Sequence, residues 1–204
     1  AIRRQRQMCI RDSFYTWNDQ YSGAYWGGFY SGGRAAIRNI IDVMNNWEGN
    51  PAYANEYQMC RILKAYMFQN MTDLYGEMPY KSSEAEAGVT PTYNDGKTIY
   101  LGCLADLDTA IEMFQKEQGS ATASLAVGDI WNGGSVDKWL KLAYLLKARY
   151  INKLIKKGEG SYLEGKYDAA EILACLDKAQ QSNADNTVFN HIDANNSHDV
   201  LGWD

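Results

Sequence analysis

Residues 52–80 carry the clearest structural signal in the chain and read AYANEYQMCRILKAYMFQNMTDLYGEMPY. Apolar side chains recur there at spacings of three, four, four and three, the period of one helix face; they are Cys60, Leu63, Met67, Met71 and Leu74. Asn50 and Pro51 precede this pattern as an N-cap and a first-turn proline, and Gly76 ends it. The stretch therefore predicts an amphipathic helix over about residues 52–75.

The same helical period continues along the rest of the chain. It predicts four further helical segments, at about residues 27–47, 97–117, 135–157 and 167–181. Residues 81–96 and 119–134 are polar or glycine-rich and predict loops. The expected core positions in these helices are Ile37, Ile40, Ile41, Met44, Trp47, Tyr100, Leu104, Leu107, Ile111, Phe114, Trp139, Leu142, Leu146, Tyr150, Ala169, Ile172, Leu173 and Leu176.

These stripes predict an all-α fold of antiparallel helical hairpins with long loop insertions. No alternating strand pattern is found, and each apolar stripe is too narrow for a helix buried on all sides. The segments beginning at Trp139 and Gly165 resemble the first helix of a tetratricopeptide unit. Their aromatic residues, Trp139 and Tyr167, are 28 residues apart, short of the regular repeat of about 34. The pattern favours a degenerate array over a periodic solenoid.

Composition excludes several classes of function. The 25 acidic and 20 basic residues give a formal net charge of −5, which argues against nucleic-acid binding because that depends on clustered Lys and Arg. No apolar run approaches the about 20 residues of a membrane-spanning helix. The 15 Tyr and 6 Trp outnumber the 5 Phe. Rings with a polar group therefore prevail, a composition typical of partly exposed aromatic surfaces.

The four cysteines, Cys9, Cys60, Cys103 and Cys175, are far apart and include no C-x-x-C pair. Three of them fall within helical patterns, so we expect buried free thiols. They do not define a redox compartment.

Catalytic and metal-binding patterns are weak. Asp106 and Asp108 are two residues apart on a helix, so they point to different faces and cannot form the facing pair of a glycosidase. His191 and His198 are more typical of solvated loop residues than of zinc ligands. The alternating oxygen ligands of residues 193–199 lack the glycine and glutamate of a calcium loop. We therefore predict no catalytic residue, no metal site, no cofactor and no enzymatic activity.

Four motifs occur in a fixed order within residues 55–149. They are Arg61-Ile62-Leu63-Lys64-Ala65 leading into Tyr75-Gly76-Glu77-Met78-Pro79-Tyr80, then Leu104-x-Asp106-Leu107-Asp108, then Asp129-Ile130-Trp131-x-Gly133, then Trp139-x-Lys141-Leu142-Ala143. In this order the motifs resemble the SusD/RagB family. The chain departs from the family pattern at Glu77, where Asp is usual, and at Met78, where Ile or Val is common.

The resemblance implies a surface-exposed outer-membrane lipoprotein of Bacteroidota-like bacteria. Such a protein captures oligosaccharide or another nutrient without catalysis and sits on a TonB-dependent transporter, its partner. It also implies a tetratricopeptide-like, SusD-like helical half. The lipid anchor expected for the family is not among the motifs found, and membrane attachment would be through that anchor alone. The alternative is a helical-repeat scaffold that binds only protein.

The resemblance also suggests a domain division. Residues 1–13 share no pattern with the rest of the chain, and we expect them to be non-native or disordered. Residues 14–182 are expected to form the SusD-like helical domain. Residues 183–204 are expected to be an irregular tail that stops before the family's C-terminal half.

Aromatic side chains outside the core stripes are the candidate sugar-binding residues, because a pyranose face stacks on a Trp or Tyr ring. Tyr25 and Trp26 lie beside two glycines, Tyr80 follows a helix end, and Trp131 lies in a glycine-rich loop. The alternative for Tyr80 is to fix the helix-to-loop turn, and for Trp131 to fill a gap between helices. The predicted ligand-binding residues are thus Tyr25, Trp26, Tyr80 and Trp131.

Overall fold

The structure, a computed structural model, describes residues 19–31, 35–81, 90–116 and 127–188. Within these ranges it contains six α-helices: α1 (Asp19–Tyr30), α2 (Ala36–Trp47), α3 (Ala54–Tyr75), α4 (Gly96–Gln115), α5 (Val136–Asn152) and α6 (Ala169–Leu176). The chain divides into two compact units, of which one spans Ala36–Val188. Helix α1 belongs to the other unit. The prediction of an all-α fold is confirmed.

The helix boundaries follow local capping signals in the sequence. Asn50 accepts a hydrogen bond from the backbone N–H of Ala52 and begins the 3₁₀ turn Pro51–Tyr53, which leads directly into α3. Ser135 caps α5 by accepting from the backbone N–H of Lys138. These side chains satisfy N–H groups that the first turn of a helix leaves without partners. The predicted Ser135 cap is confirmed, whereas Asn50 caps the 3₁₀ turn and not α3, whose N-cap position is Tyr53.

Helices α3, α4 and α5 pack as antiparallel neighbours. Between α3 and α4, Arg61 pairs with Asp106 and Gln69 contacts Tyr100. Residue numbers increase along α3 where they decrease along α4, so the two helices run in opposite directions. Helices α4 and α5 pack in the same sense, because Tyr100 lies against Tyr150 and Gln115 against Tyr144. The core between them is formed by fully buried side chains: Ile62, Ala65, Phe68, Ile99, Cys103, Leu107, Ala110, Ala143 and Ile151.

A short β-ladder connects α3 to α4, which the sequence patterns did not predict. Strand β1 (Met78–Pro79) pairs antiparallel with β2 (Tyr93–Asn94). The Asn94 side chain accepts from the backbone N–H groups of Tyr80 and Lys81 and so closes the hairpin. Two-residue strands are too short to produce an alternating hydrophobic pattern, which explains why this region was predicted as loop.

Several predicted core positions are wrong. On α3 the predicted Met71 is buried, but Leu74 is 66% exposed. Other buried apolar residues, Met59, Ile62 and Phe68, each lie one position away from a predicted one. The reason is that α3 packs against α2 on one side and α4 on the other, so more than one face is buried. On α6, Leu173 is 64% exposed, whereas Cys175 is buried.

Candidate functional site

An open groove of about 340 Å³ lies where α2, α3, α5 and the turn before α5 meet. Three indole rings line it, from the end of α2, from the turn and from the first helical turns of α5. The lining residues are Trp47, Glu56, Met59, Cys60, Leu63, Gly128, Asp129, Ile130, Trp131 and Trp139. The groove is therefore mostly apolar, with two carboxylate side chains among its walls, and we call it the tryptophan groove.

One carboxylate organises the turn that carries Trp131. Asp129 accepts hydrogen bonds from the backbone N–H groups of Trp131 (3.1 Å), Asn132 (3.0 Å) and Gly134 (2.9 Å). It also accepts from the indole N–H of Trp139 at 2.7 Å. Burial raises the pKa of Asp129, but these hydrogen bonds outweigh it and hold the pKa below its usual range. The Asp129 side chain thus links the loop to α5.

The indole rings are held by other aromatic rings. Trp131 stacks on Trp139 with ring centroids 6.2 Å apart and 21° between planes, and Tyr66 meets Trp131 edge-on at 6.5 Å. Trp47 stacks on Tyr53 at 5.0 Å and 13°. Trp139 is only 3% exposed, so it forms the floor of the groove, whereas Trp47 and Trp131 are half-buried. Rings fixed in this way present flat faces without losing side-chain entropy on binding.

The structure brings only one of the four predicted ligand residues to this groove. Trp131 lines it. Tyr80 instead packs edge-on against Phe68 at 4.8 Å, and its hydroxyl occupies the space beside Gly102, where a Cβ would come within 2.4 Å. This geometry gives Tyr80 a packing role between the hairpin and α4.

Tyr25 and Trp26 lie on helix α1, in the other unit. Tyr25 is 60% exposed, and Trp26 is half-buried with its ring 4.8 Å from that of Tyr30. Both positions leave ring surface open to solvent. Their role in ligand binding stays a prediction.

Sequence reasoning missed most contributors to the groove, among them Trp47 and Glu56. Trp47 was predicted as core because it continues the stripe of α2, and Glu56 was given no role. Glu56 is 4% exposed yet lines the groove. The signal that could have revealed Trp47 is its position at the last residue of α2, three residues before Asn50, at the end of the helical stripe.

The acidic residues of α4 serve ion pairs. Asp106 is buried and pairs with Arg61 at 3.2 Å and Lys64 at 3.5 Å. Asp108 points to a different side of the helix and pairs with the buried Lys147 at 2.6 Å. The two carboxylates therefore belong to separate networks, and they do not face each other as a glycosidase pair would.

Lys147 links three segments of the fold. Its ammonium group lies 2.6 Å from Glu171, 2.6 Å from Asp108 and 3.1 Å from the hydroxyl of Tyr162. Burial lowers the pKa of Lys147, but these partners outweigh it and raise the pKa above its usual range. Lys147 is therefore charged, and its contacts connect α5 with α4, α6 and the 3₁₀ segment that contains Tyr162.

The described thiols are free, as predicted, and poorly reactive. Cys103 and Cys175 are buried and Cys60 is half-buried. Burial raises the pKa of Cys60 to about 11 and that of Cys175 to about 12, so at neutral pH they are protonated. Cys9, His191, His198 and residues 193–199 lie outside the described ranges. In the part of the chain that is described, no group of three or more His, Cys, Asp or Glu side chains is placed to hold a metal ion.

None of the described helices combines the length and the apolar character needed to cross a membrane. Residues 36–188 thus belong to the class of all-α proteins built from antiparallel helical hairpins, and they carry an aromatic groove.

Comparison with known proteins identifies the family. A family model described as SusD-like, "Starch-binding associating with outer membrane", matches residues 4–201. The chain belongs to this SusD-like family. The resemblance predicted from the four sequence motifs is confirmed. Among curated proteins, none matches the chain significantly.

Solved structures of the same family share the fold. A structure called a chitin-binding protein is 27% identical, with a TM-score of 0.70 over 85% of this chain and 35% of its own. A SusD/RagB family protein from Bacteroides thetaiotaomicron VPI-5482 is 26% identical, with a TM-score of 0.66 over 85% of this chain and 34% of its own. A SusD homolog from Parabacteroides distasonis ATCC 8503 is 26% identical, with a TM-score of 0.62 over 83% of this chain and 30% of its own. The chain thus spans about a third of the length of these structures.

The family match also bears on the expected location. Its description names association with the outer membrane. This agrees with the predicted outer-membrane location.

Proposed function

We propose that this chain is part of a surface protein that captures oligosaccharide in the tryptophan groove and passes it, without catalysis, to a TonB-dependent outer-membrane transporter. Membrane attachment would be through the lipid anchor typical of the family. The observation that carries the proposal is the set of three indole rings, Trp47, Trp131 and Trp139, around one open groove. The description of the family as starch-binding and the name of the chitin-binding relative support the choice of a glycan.

The chemistry of the groove suits a sugar. The apolar face of a pyranose ring packs on an indole, and the carboxylates of Glu56 and Asp129 line the same groove. A volume of about 340 Å³ falls in the range of small-molecule sites and accommodates one or two sugar rings. The groove is open, so a longer chain can extend beyond it into solvent.

Calorimetric titration with neutral oligosaccharides, including maltooligosaccharides and chitooligosaccharides, tests the proposal. We expect binding without released sugar, a change in tryptophan emission, and an affinity reduced at least about tenfold in Trp131→Ala. Tyr93→Ala is the matched control, because Tyr93 is 60% exposed and does not line the groove. Equal affinities for wild type and Trp131→Ala would mean that the oligosaccharide does not bind in the tryptophan groove.

Tyr25 and Trp26 form a second candidate platform on α1. Trp26→Ala is expected to weaken oligosaccharide binding while leaving the unfolding temperature unchanged. Calorimetric titration paired with thermal unfolding separates these effects. An unchanged affinity would restrict ligand binding to the tryptophan groove.

A protein-binding scaffold is the second candidate function, because an apolar surface on α6 is open. Leu173 is 64% exposed and Leu176 is 41% exposed, with Leu163 at 67% in the preceding 3₁₀ turn. Exposed apolar groups on one short element are typical of contact surfaces. Unchanged tryptophan emission across the sugar panel, together with Leu173→Ser abolishing co-purification with the transporter, would favour this scaffold.

A further inference from the structure

A second and larger cavity, of about 650 Å³, lies at the C-terminal end of α3. Its walls come from the end of α3, the start of α4, the 3₁₀ segment Lys153–Lys157 and the turn after the 3₁₀ segment Tyr162–Glu164. Four lysines and two acids are among the lining residues: Lys97, Lys153, Lys157, Lys166, Asp73 and Glu164. In a chain of net charge −5, this lysine cavity has a local excess of positive charge.

Two of the four lysines are already paired. Lys153 forms an ion pair with Asp73, whose carboxylate also accepts from the Gln69 side chain at 2.6 Å. Lys166 lies 3.6 Å from Glu164. For Lys97 and Lys157, by contrast, no carboxylate of the described residues lies within ion-pair distance. Lys97 and Lys157 therefore line the cavity without an ion-pair partner among the described residues.

Two glycines position the lysine stems. A Cβ at Gly165, where φ is +79°, would lie 3.3 Å from Cε of Lys97. A Cβ at Gly160 would lie 2.6 Å from Cδ of Lys166. The Lys97 and Lys166 side chains thus lie against glycine backbone, where a larger residue would collide with them.

The remaining walls are compatible with a sugar ring. Leu101, Leu154 and Tyr100 supply apolar surface beside the lysines. Gly96 and Lys97 lie in the first turn of α4, where the helix dipole adds positive potential. The Asp95 carboxylate caps that turn by accepting from the Thr98 N–H at 2.8 Å, and it offsets part of this potential.

We propose that the lysine cavity binds the carboxylate of an acidic sugar, so that the protein takes up uronic-acid-containing oligosaccharides. The ammonium groups of Lys97 and Lys157 pair with the carboxylate, while the Leu and Tyr side chains contact the ring. The binding of an acidic group follows from the lysines. That the acid is part of a sugar rests on the proposed function.

Calorimetric titration of the whole chain with trigalacturonate at low salt tests this proposal. The neutral methyl ester of the same trisaccharide and inorganic sulfate are the comparison ligands. We expect trigalacturonate to bind, the methyl ester to bind at least about tenfold more weakly, and the double variant Lys97→Gln/Lys157→Gln to lose at least about tenfold in affinity. Lys138→Gln is the matched control, because Lys138 lies in the first turn of α5 and does not line the cavity.

Three results would overturn the proposal: equal affinity in the double variant, equal affinity for the methyl ester, or binding of sulfate without binding of trigalacturonate. If the double variant does not fold, wild type is measured between 20 and 200 mM NaCl, where the affinity for trigalacturonate should fall several-fold because exposed charges are screened. A constant affinity also overturns it. Neutral oligosaccharides titrated in parallel distinguish the two proposals: if they bind and trigalacturonate does not, only the acidic site fails, and if neither binds, the proposed function fails too.

Discussion

The two ends of helix α3 present opposite chemistry to ligands. Its N-terminal half contributes Met59 and Leu63 to the tryptophan groove, and its last turn contributes Thr72 and Asp73 to the lysine cavity. The nearest residues of the two sites on α3, Leu63 and Thr72, are nine positions apart, which is about 14 Å along a helix that rises about 1.5 Å per residue. One rigid element therefore holds an aromatic site and a charged site that do not share a residue, so either can be altered without the other.

The largest effect is expected at the aromatic end. Trp139→Ala should lower the free energy of unfolding by about 3–5 kcal/mol, because a buried indole leaves a cavity and Asp129 loses a hydrogen-bond donor. Chemical denaturation measures this loss. Trp131→Ala is the comparison, since its ring is half-buried and its loss should cost less. Matching unfolding curves for the two variants would contradict the conclusion that the buried Trp139 contributes more to stability than the half-buried Trp131.

The turn that carries Trp131 gives the next largest effect. Asp129→Asn should cost about 2–3 kcal/mol at neutral pH, because an amide cannot accept from all four donors. Asp137→Asn is the matched control, since Asp137 is 68% exposed and makes one surface ion pair with Lys141.

The effect of Asp129→Asn should depend on pH. The folded-state pKa of Asp129 is lowered, so its contribution is complete above the unfolded pKa of about 4 and is lost as the pH falls through the folded value. Denaturation of wild type and variant from pH 7 to pH 3 should therefore show a difference that shrinks below about pH 4. A difference that is constant over this range would mean that the carboxylate charge is not what stabilises the turn.

A smaller effect is expected just beyond the charged end of α3, where Tyr80 packs on α4. Gly102→Ala should cost about 1–2 kcal/mol, because its Cβ would come within 2.4 Å of the Tyr80 hydroxyl and force the ring to move. Gly96→Ala is the matched control in the same helix, since nothing lies within 4 Å of its Cβ position. Thermal unfolding compares the two variants. Equal melting temperatures would show that the Tyr80 ring and its hairpin move aside without a loss of stability.

The smallest expected effect is that of salt on ligand affinity at the aromatic end of α3, which should differ from its effect at the charged end. Binding of a neutral oligosaccharide at the tryptophan groove should change less than about twofold between 50 and 500 mM NaCl, since stacking involves no net charge. Calorimetric titration at both salt concentrations measures it. A strong decrease would mean that charged groups contribute to the groove as well.

Much of the fold was predictable because its signals are local. The Asn50 and Ser135 caps, the apolar stripe of α4 and the glycine stop after Lys157 each depend on neighbours in sequence. The face of α3 was not predictable, because periodicity does not reveal that the helix packs against α2 and α4 together. The same limit explains Leu173, which continues a stripe but faces solvent.

The candidate site was predictable only in part. Trp131 stood out because it lies in a glycine-rich loop, away from every helical stripe. Its partner Trp47 comes from a helix more than 80 positions earlier in the chain, and only the tertiary packing brings them to one groove. Lys157 was interpreted as part of a helix stop, and nothing near it in sequence indicates that Lys97 lines the same cavity.

The close approach at Gly102 has a consequence for the evolution of the protein. The Tyr80 hydroxyl occupies the volume in which a side chain at position 102 would lie, so the two positions are not free to change independently. In homologous sequences we expect them to covary: a residue larger than glycine at position 102 should accompany a smaller one at position 80. An alignment that shows Tyr80 beside a bulky residue at position 102 would indicate that the hairpin takes a different path in those relatives.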